Sequence, residues 1–149
     1  MKHVFLLVAV FVITFPAAAK ENSDWSASYA EQAVEYQKMN VALHCGYSAD
    51  RWHTDYEGHK LFAGALGKDA ADAENKVREI AIRQCRDAWT YAEQGVLQNQ
   101  ENLNRNCGLT GAIWHSDKKN HFAWAMNQTP YMIAIHDQKR RTLLALCNR

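Results

Sequence analysis

Proline is nearly missing from this chain: Pro16 and Pro130 are the two in 149 residues. Proline fixes φ and removes a backbone donor, so its scarcity excludes polyproline-like and collagen-like organisation and leaves the long stretch between the two free of the strongest helix breaker. Long hydrophobic runs are also missing. The apolar run from Val4 to Phe15 has no later counterpart, and it is too short for a stable membrane span. Charge of one sign is absent as well. The chain holds 17 Lys and Arg against 16 Asp and Glu, and without Lys2 the balance is 16 against 16. A neutral chain carries no electrostatic footprint for nucleic acid. Finally, there is no G-x-S-x-G elbow and no H-E-x-x-H pair. Ser48, His53 and Asp55 lie close in sequence, but proximity along the chain is not a triad, and strand-period alternation is weak throughout.

The apolar run has a purpose at the N-terminus. Lys2 and His3 precede it, Pro16 breaks it, and Ala17, Ala18 and Ala19 supply small residues for a signal peptidase. Residues 1–19 are therefore expected to be a signal peptide cleaved before Lys20, leaving a chain without a membrane span in the periplasm or outside the cell.

The rest of the chain contains one block twice. Cys45-Gly46, Trp52-His53, Asp55 and His59 return 62 residues later as Cys107-Gly108, Trp114-His115, Asp117 and His121, with no insertion. Tyr29-Ala30-Glu31-Gln32 and Val34 return as Tyr91-Ala92-Glu93-Gln94 and Val96, and Asn40, Ala63, Arg78 and Cys85 return as Asn102, Ala125, Arg140 and Cys147. Residues 24–85 and 86–147 agree at 15 of 62 positions. Four cysteines in an exported chain read as two disulfides. Each copy carries its own pair at a separation of 40, so Cys45–Cys85 and Cys107–Cys147 is the expected pairing, each worth roughly 4 kcal/mol in the chain-entropy description.

The periodicity is helical. Asp24 or Ser26 can cap a first helix carrying Ala30, Val34, Val41 and Cys45, which Gly46 should stop at the cysteine as Gly108 does in the second copy. Thr54 with Glu57 has the form of a capping box for a short helix running to about Leu66; in the second copy Lys119 replaces Glu57 and Pro130 marks the break. Between Asp69 and Cys107 the stripe Val77, Ala81, Cys85, Ala88, Ala92, Val96, Asn99, Leu103, Cys107 keeps phase through the junction of the copies. It predicts a continuous helix, or two nearly collinear ones breaking near Asp87, roughly 55 to 60 Å long at about 1.5 Å per residue. Gly95 within it costs about 1 kcal/mol against alanine. A final helix is expected from about Ile133 to Leu146. The expected fold is all-α: two tandem three-helix repeats of period 62, residues 20–85 and 86–149, sharing a long central helix and each closed by one disulfide.

The candidate site residues are the duplicated Trp52, His53, Asp55, His59 and Trp114, His115, Asp117, His121. Two imidazoles and a carboxylate are a possible transition-metal set, although the histidines are six apart, not on one helical face. A tryptophan beside His and Asp can stack on a sugar. The structural reading is more economical: Asp55 caps a helix, His59 packs beside Trp52 and bonds a backbone carbonyl, and Trp52 plugs a small core beside the cystine. Glu31 and Glu93 read as solvated side chains or as facing the central helix. Lys139, Arg140 and Arg141 read as a solvated helix face, with Arg140 held for structure because Arg78 matches it. The halves differ in charge: residues 24–85 hold 7 basic and 10 acidic side chains, 7 − 10 = −3, and residues 86–149 hold 8 and 5, 8 − 5 = +3. The expectation is an exported, non-enzymatic binding protein without a cofactor, recognising a protein or a small ligand. An inhibitor or immunity role against a secreted hydrolase or toxin is favoured; metal binding and carbohydrate binding are the alternatives.

Overall fold

The computed structural model describes residues 22–147, so the expected signal peptide, residues 1–19, lies outside the described residues. Five helices and no strand make up those residues: α1 Asn22–Ala42, α2 Tyr56–Leu66, α3 Lys68–Asn104, α4 Lys118–Met126 and α5 Pro130–Leu146. The 37 residues of α3 run without a break past Asp87, a rod of about 55 Å. α1 and α2 pack on each other and on α3, and α4 and α5 pack on α3. Cys45 is bonded to Cys85 and Cys107 to Cys147, with Cα separations of 5.6 and 5.5 Å.

The helices approach closely because the residues between them are small. Ala30, Ala33, Ala63, Ala71, Ala88, Ala92 and Ala125 are all fully buried, while Ile82 and Leu144 are the buried aliphatics of larger size. Methyl groups bury little apolar area, so the hydrogen bonds and cystines between helices carry more of the structure than in a leucine-rich bundle. Trp52 fills the space beside Cys45, Ile82 and Cys85, with Tyr47 stacked on its ring at 5.0 Å. Trp89 joins the two ends of the molecule. Its Nε1 donates to the Leu43 carbonyl at 2.6 Å, and its ring stacks on Phe122 of α4 at 4.0 Å.

The buried stripe of α3 differs from the expected apolar one. It passes through Ala71, Asn75, Arg78, Ile82 and Cys85, and later through Gly95, Gln98, Asn99 and Asn102. Val77 and Leu103 are exposed at 41% and 61%. Toward both ends of α3 the inward positions are polar, each with partners across the interface, so a stripe drawn through apolar residues alone leaves the true face.

Helix ends differ too. α1 is already helical at Asn22, ahead of Asp24 and Ser26, and Ser26 is buried inside it. Neither α1 nor α3 reaches its cysteine. His44 and Asn106 take left-handed φ of 53° each. His44 N donates to Val41 O and Cys45 N to Asn40 O, and Asn106 N donates to Leu103 O and Cys107 N to Asn102 O. This is the Schellman pattern, with the cysteine one residue beyond the left-handed position. Gly46 and Gly108 also have positive φ, 78° and 67°, but they turn the loop two residues after the stop. The loop is then held by an asparagine. Asn40 Nδ2 donates to Tyr47 O at 2.8 Å and its Oδ1 accepts from Tyr47 N at 3.1 Å; Asn102 makes the same pair with Leu109, at 2.8 and 3.0 Å. The cap of α2 is Asp55 rather than Thr54, and Asp117 caps α4, so the absent capping box there is immaterial. Pro130 opens α5 as its first residue behind the Thr129 cap, which starts the last helix ahead of Ile133.

Candidate functional site

Each cap positions a histidine. The Asp55 carboxylate accepts from Gly58 N at 3.0 Å, and one turn into α2 the His59 ring points back under the loop, Nε2 against the His53 carbonyl at 3.1 Å. A carbonyl only accepts, so Nε2 carries the proton. His53 lies parallel over His59, with centroids at 3.9 Å and planes 6° apart, and its Nδ1 accepts from Asp55 N at 3.2 Å. Tyr29 of α1 meets the His59 ring edge-on at 6.1 Å and Phe62 face to face at 6.1 Å. Behind Tyr29 lies Arg78 of α3, 2% exposed, donating from Nη1 to the Tyr29 hydroxyl at 3.2 Å.

The same arrangement occurs in the C-terminal half. Asp117 accepts from Asn120 N at 3.0 Å, His121 Nε2 donates to the His115 carbonyl at 3.0 Å, and His115 stacks on His121 at 3.8 Å. Tyr91 takes His121 edge-on at 6.0 Å and lies beside Trp124 at 5.1 Å. Arg140, fully buried, sits over the Tyr91 ring at 4.5 Å and donates from Nη1 to its hydroxyl at 2.8 Å. Arg140 Nε bonds Gln98 Oε1. Burial pushes both His59 and His121 below the usual imidazole range, with nearby positive charge adding to it. His136, stacked on Trp124 at 4.4 Å, is lowered for the same reason.

Above each histidine pair is a cleft. The N-terminal one holds about 340 Å³ and is lined by Ala49, Asp50, Arg51, His53, Gly58, His59, Phe62, Glu74 and Arg78. The C-terminal one holds about 230 Å³ and is lined by Tyr91, Ala112, Ile113, His115, Asn120, His121, Trp124 and His136. Seven of those eight residues stand 62 positions after a lining residue of the first cleft. The floors agree: two histidines and an aromatic ring. The rims do not. Asp50, Arg51 and Glu74 give way to Ala112, Ile113 and His136, and Arg51 pairs with Glu74 at 3.4 Å. Arg78 lines its cleft whereas Arg140 does not, and His115 Nδ1, His136 Nδ1 and Arg140 Nη2 are buried without a hydrogen-bond partner.

The expected site residues are thus brought together, as a ring stack beside a helix cap in each half. Parallel stacked imidazoles aim their nitrogen lone pairs side by side, and His59 Nε2 and the Asp55 carboxylate are committed to backbone groups. Among the described residues no three His, Cys, Asp or Glu side chains are placed to hold a metal ion. His59 packs on His53 and Tyr29. His53 contacts the Asp55 backbone and not its carboxylate, so no Ser-His-Asp relay forms there. Trp52 and Trp114 are 9% and 8% exposed, inside the core and not on a sugar-binding surface. Glu31 is solvent-exposed and Glu93 pairs with Lys118 at 2.6 Å. Of the basic trio, Lys139 and Arg141 are exposed and Arg140 is buried. Sequence reasoning passed over Tyr29 and Tyr91 as partners of the arginines; their identity in both halves was the available signal.

No protein-family model, no curated protein and no solved structure matches this chain.

Proposed function

We propose that the chain is a tandem duplication of a 62-residue helical unit that acts as a non-enzymatic binding protein in the periplasm or outside the cell, through the two clefts. The observation that carries this reading is the pair of clefts with a common floor and different rims. A shared floor maintains the frame; rims of different charge suit two occupants, or two parts of one partner. Two disulfides suit an oxidising compartment, and no helix among the described residues is long and apolar enough to cross a membrane. Inhibition of, or immunity to, a secreted hydrolase or toxin is the favoured role, because a rigid stapled frame with preformed clefts lowers the ordering cost of association.

Photo-crosslinking tests this reading. A crosslinking residue is placed at the rims, in place of Asp50, Arg51, Ala112 or Ile113, and at outward positions, in place of Lys38 or Glu101, and the mature chain is irradiated in its native extracellular fraction. Discrete adducts from rim positions alone support the proposal. Adducts from Lys38 and Glu101 at the same level, or none from any rim position, reject it.

A further inference from the structure

Arg78 is a cation buried without an anion. Its Nε donates to the Arg51 carbonyl at 3.0 Å, and its Nη1 donates to the Tyr29 hydroxyl at 3.2 Å and to Asn75 Oδ1 at 3.0 Å. All three acceptors are neutral. Among the described residues no acceptor is bonded to Nη2, yet the side chain is 2% exposed and lines the N-terminal cleft. A desolvated guanidinium without a counter-charge is expensive, and in proteins such groups are normally paired. The one carboxylate a helical turn away on α3, Glu74, is turned to Arg51 at 3.4 Å. A second donor is left over beside it. His53 Nδ1 accepts from Asp55 N, so its proton sits on Nε2, which has no acceptor among the described residues.

We infer that the N-terminal cleft binds a carboxylate, held by the Arg78 guanidinium and the His53 imidazole N–H, with Phe62 against the rest of the ligand. The inference rests on the reading of the clefts as binding sites and names the ligand class for one of them. A guanidinium matches the planar carboxylate oxygens. A single negative charge suits the site, because Asp50 and Glu74 at the rim disfavour a dianion such as phosphate. At about 340 Å³ the cavity lies near the lower end for small-molecule sites, so the occupant is a small acid or the end of a peptide. The C-terminal cleft does not share this chemistry. Arg140 is fully buried and outside its lining, and Ile113 and His136 replace Arg51 and Glu74.

Titration of the histidine-labelled mature chain, followed by imidazole NMR signals, tests this with acetate and with acetamide, its neutral counterpart. Saturable shifts at His53 and His59 with acetate, small shifts with acetamide and none at His115 and His121 are expected. Arg78→Lys should weaken acetate binding about tenfold, as loss of a charge-assisted, planar contact does. That variant removes buried hydrogen bonds, so Glu74→Gln at the rim provides a second measure: removing its charge should tighten acetate binding about threefold and leave acetamide unchanged, and no tightening of acetate overturns an anion in this cleft. A peptide with a free C-terminus, compared with its amidated form, separates the sources. Binding well above acetate that amidation abolishes assigns the site to a chain end, and binding no better than acetate assigns it to a free acid. Equal response to acetamide overturns the carboxylate while leaving the cleft a binding site. Equal movement of His115 and His121, or no saturable shift at all, overturns the inference whatever the crosslinking result.

Discussion

Replacing Asn40 by Asp changes one atom type in a buried clamp. Asn40 is 4% exposed, and its Nδ2 donates to Tyr47 O at 2.8 Å and to Gln37 Oε1 at 2.9 Å. Aspartate keeps the oxygen that accepts from Tyr47 N but sets a second, charged oxygen against the Tyr47 carbonyl. The loss is one net hydrogen bond, about 1 kcal/mol, together with an unsatisfied and repelled carbonyl, about 1 to 3 kcal/mol, for a total of about 3 kcal/mol. For a domain of this size that is a fall in Tm of about 10 °C. Urea denaturation with the disulfides intact measures it, and an unchanged m-value shows that stability alone has moved. The sign of the pH dependence identifies the cause. A carboxyl buried against a carbonyl has its folded pKa raised, so the folded state binds the extra proton and the deficit shrinks as pH falls toward that pKa. Asn102→Asp should repeat the result, since Asn102 makes the same bonds to Leu109. A deficit under 1 kcal/mol in both variants, or one that grows as pH falls, would refute the clamp.

Peptide mapping without reduction should yield two cystine-linked fragments, Cys45–Cys85 and Cys107–Cys147, and removal of either pair should leave the other bond formed at a cost of about 4 kcal/mol. A fragment linking Cys85 to Cys107 would contradict the continuous α3. Ala49 sits at φ 92° where Gly111 stands in the other half at φ 108°, so Ala49→Gly should stabilise by about 1 kcal/mol in thermal denaturation, against the usual direction of such changes. A new Cβ on Gly95 would lie 3.0 Å from His121 Nε2. The helix-propensity gain of about 1 kcal/mol should be largely cancelled in Gly95→Ala; a full gain in calorimetry would show that His121 is loosely held.

The all-helical class, the disulfide pairing and the long α3 were legible because they rest on signals carried by residue type: cysteine spacing, glycine and proline positions, and an apolar period. What was illegible depends on partners far apart in sequence. Arg78 and Asn75 look like surface residues of a charged helix until Tyr29 and the Arg51 carbonyl are placed against them. His44 and Asn106 end their helices in place of the glycines, because asparagine and, less often, histidine tolerate the left-handed region that the loop requires. The histidine cluster was visible as composition, but a metal set and a ring stack use the same residues; the choice between them is geometric. The clefts themselves could not be anticipated, since their rims are built from the positions at which the two halves diverge.

The central claim is that both clefts stand on one repeated floor, and imidazole titration by two-dimensional NMR of the folded chain tests it most directly. In the folded state His59 and His121 are held below the usual imidazole range, chiefly by burial. Unfolded chains therefore bind protons first as pH falls, and stability present above about pH 6.5 is lost below it. The account predicts that these two histidines behave alike: both carry their proton on Nε2 in the neutral form, and both titrate below the usual imidazole range. Ordinary titration of either one, or a proton on Nδ1 in one and on Nε2 in the other, would contradict it.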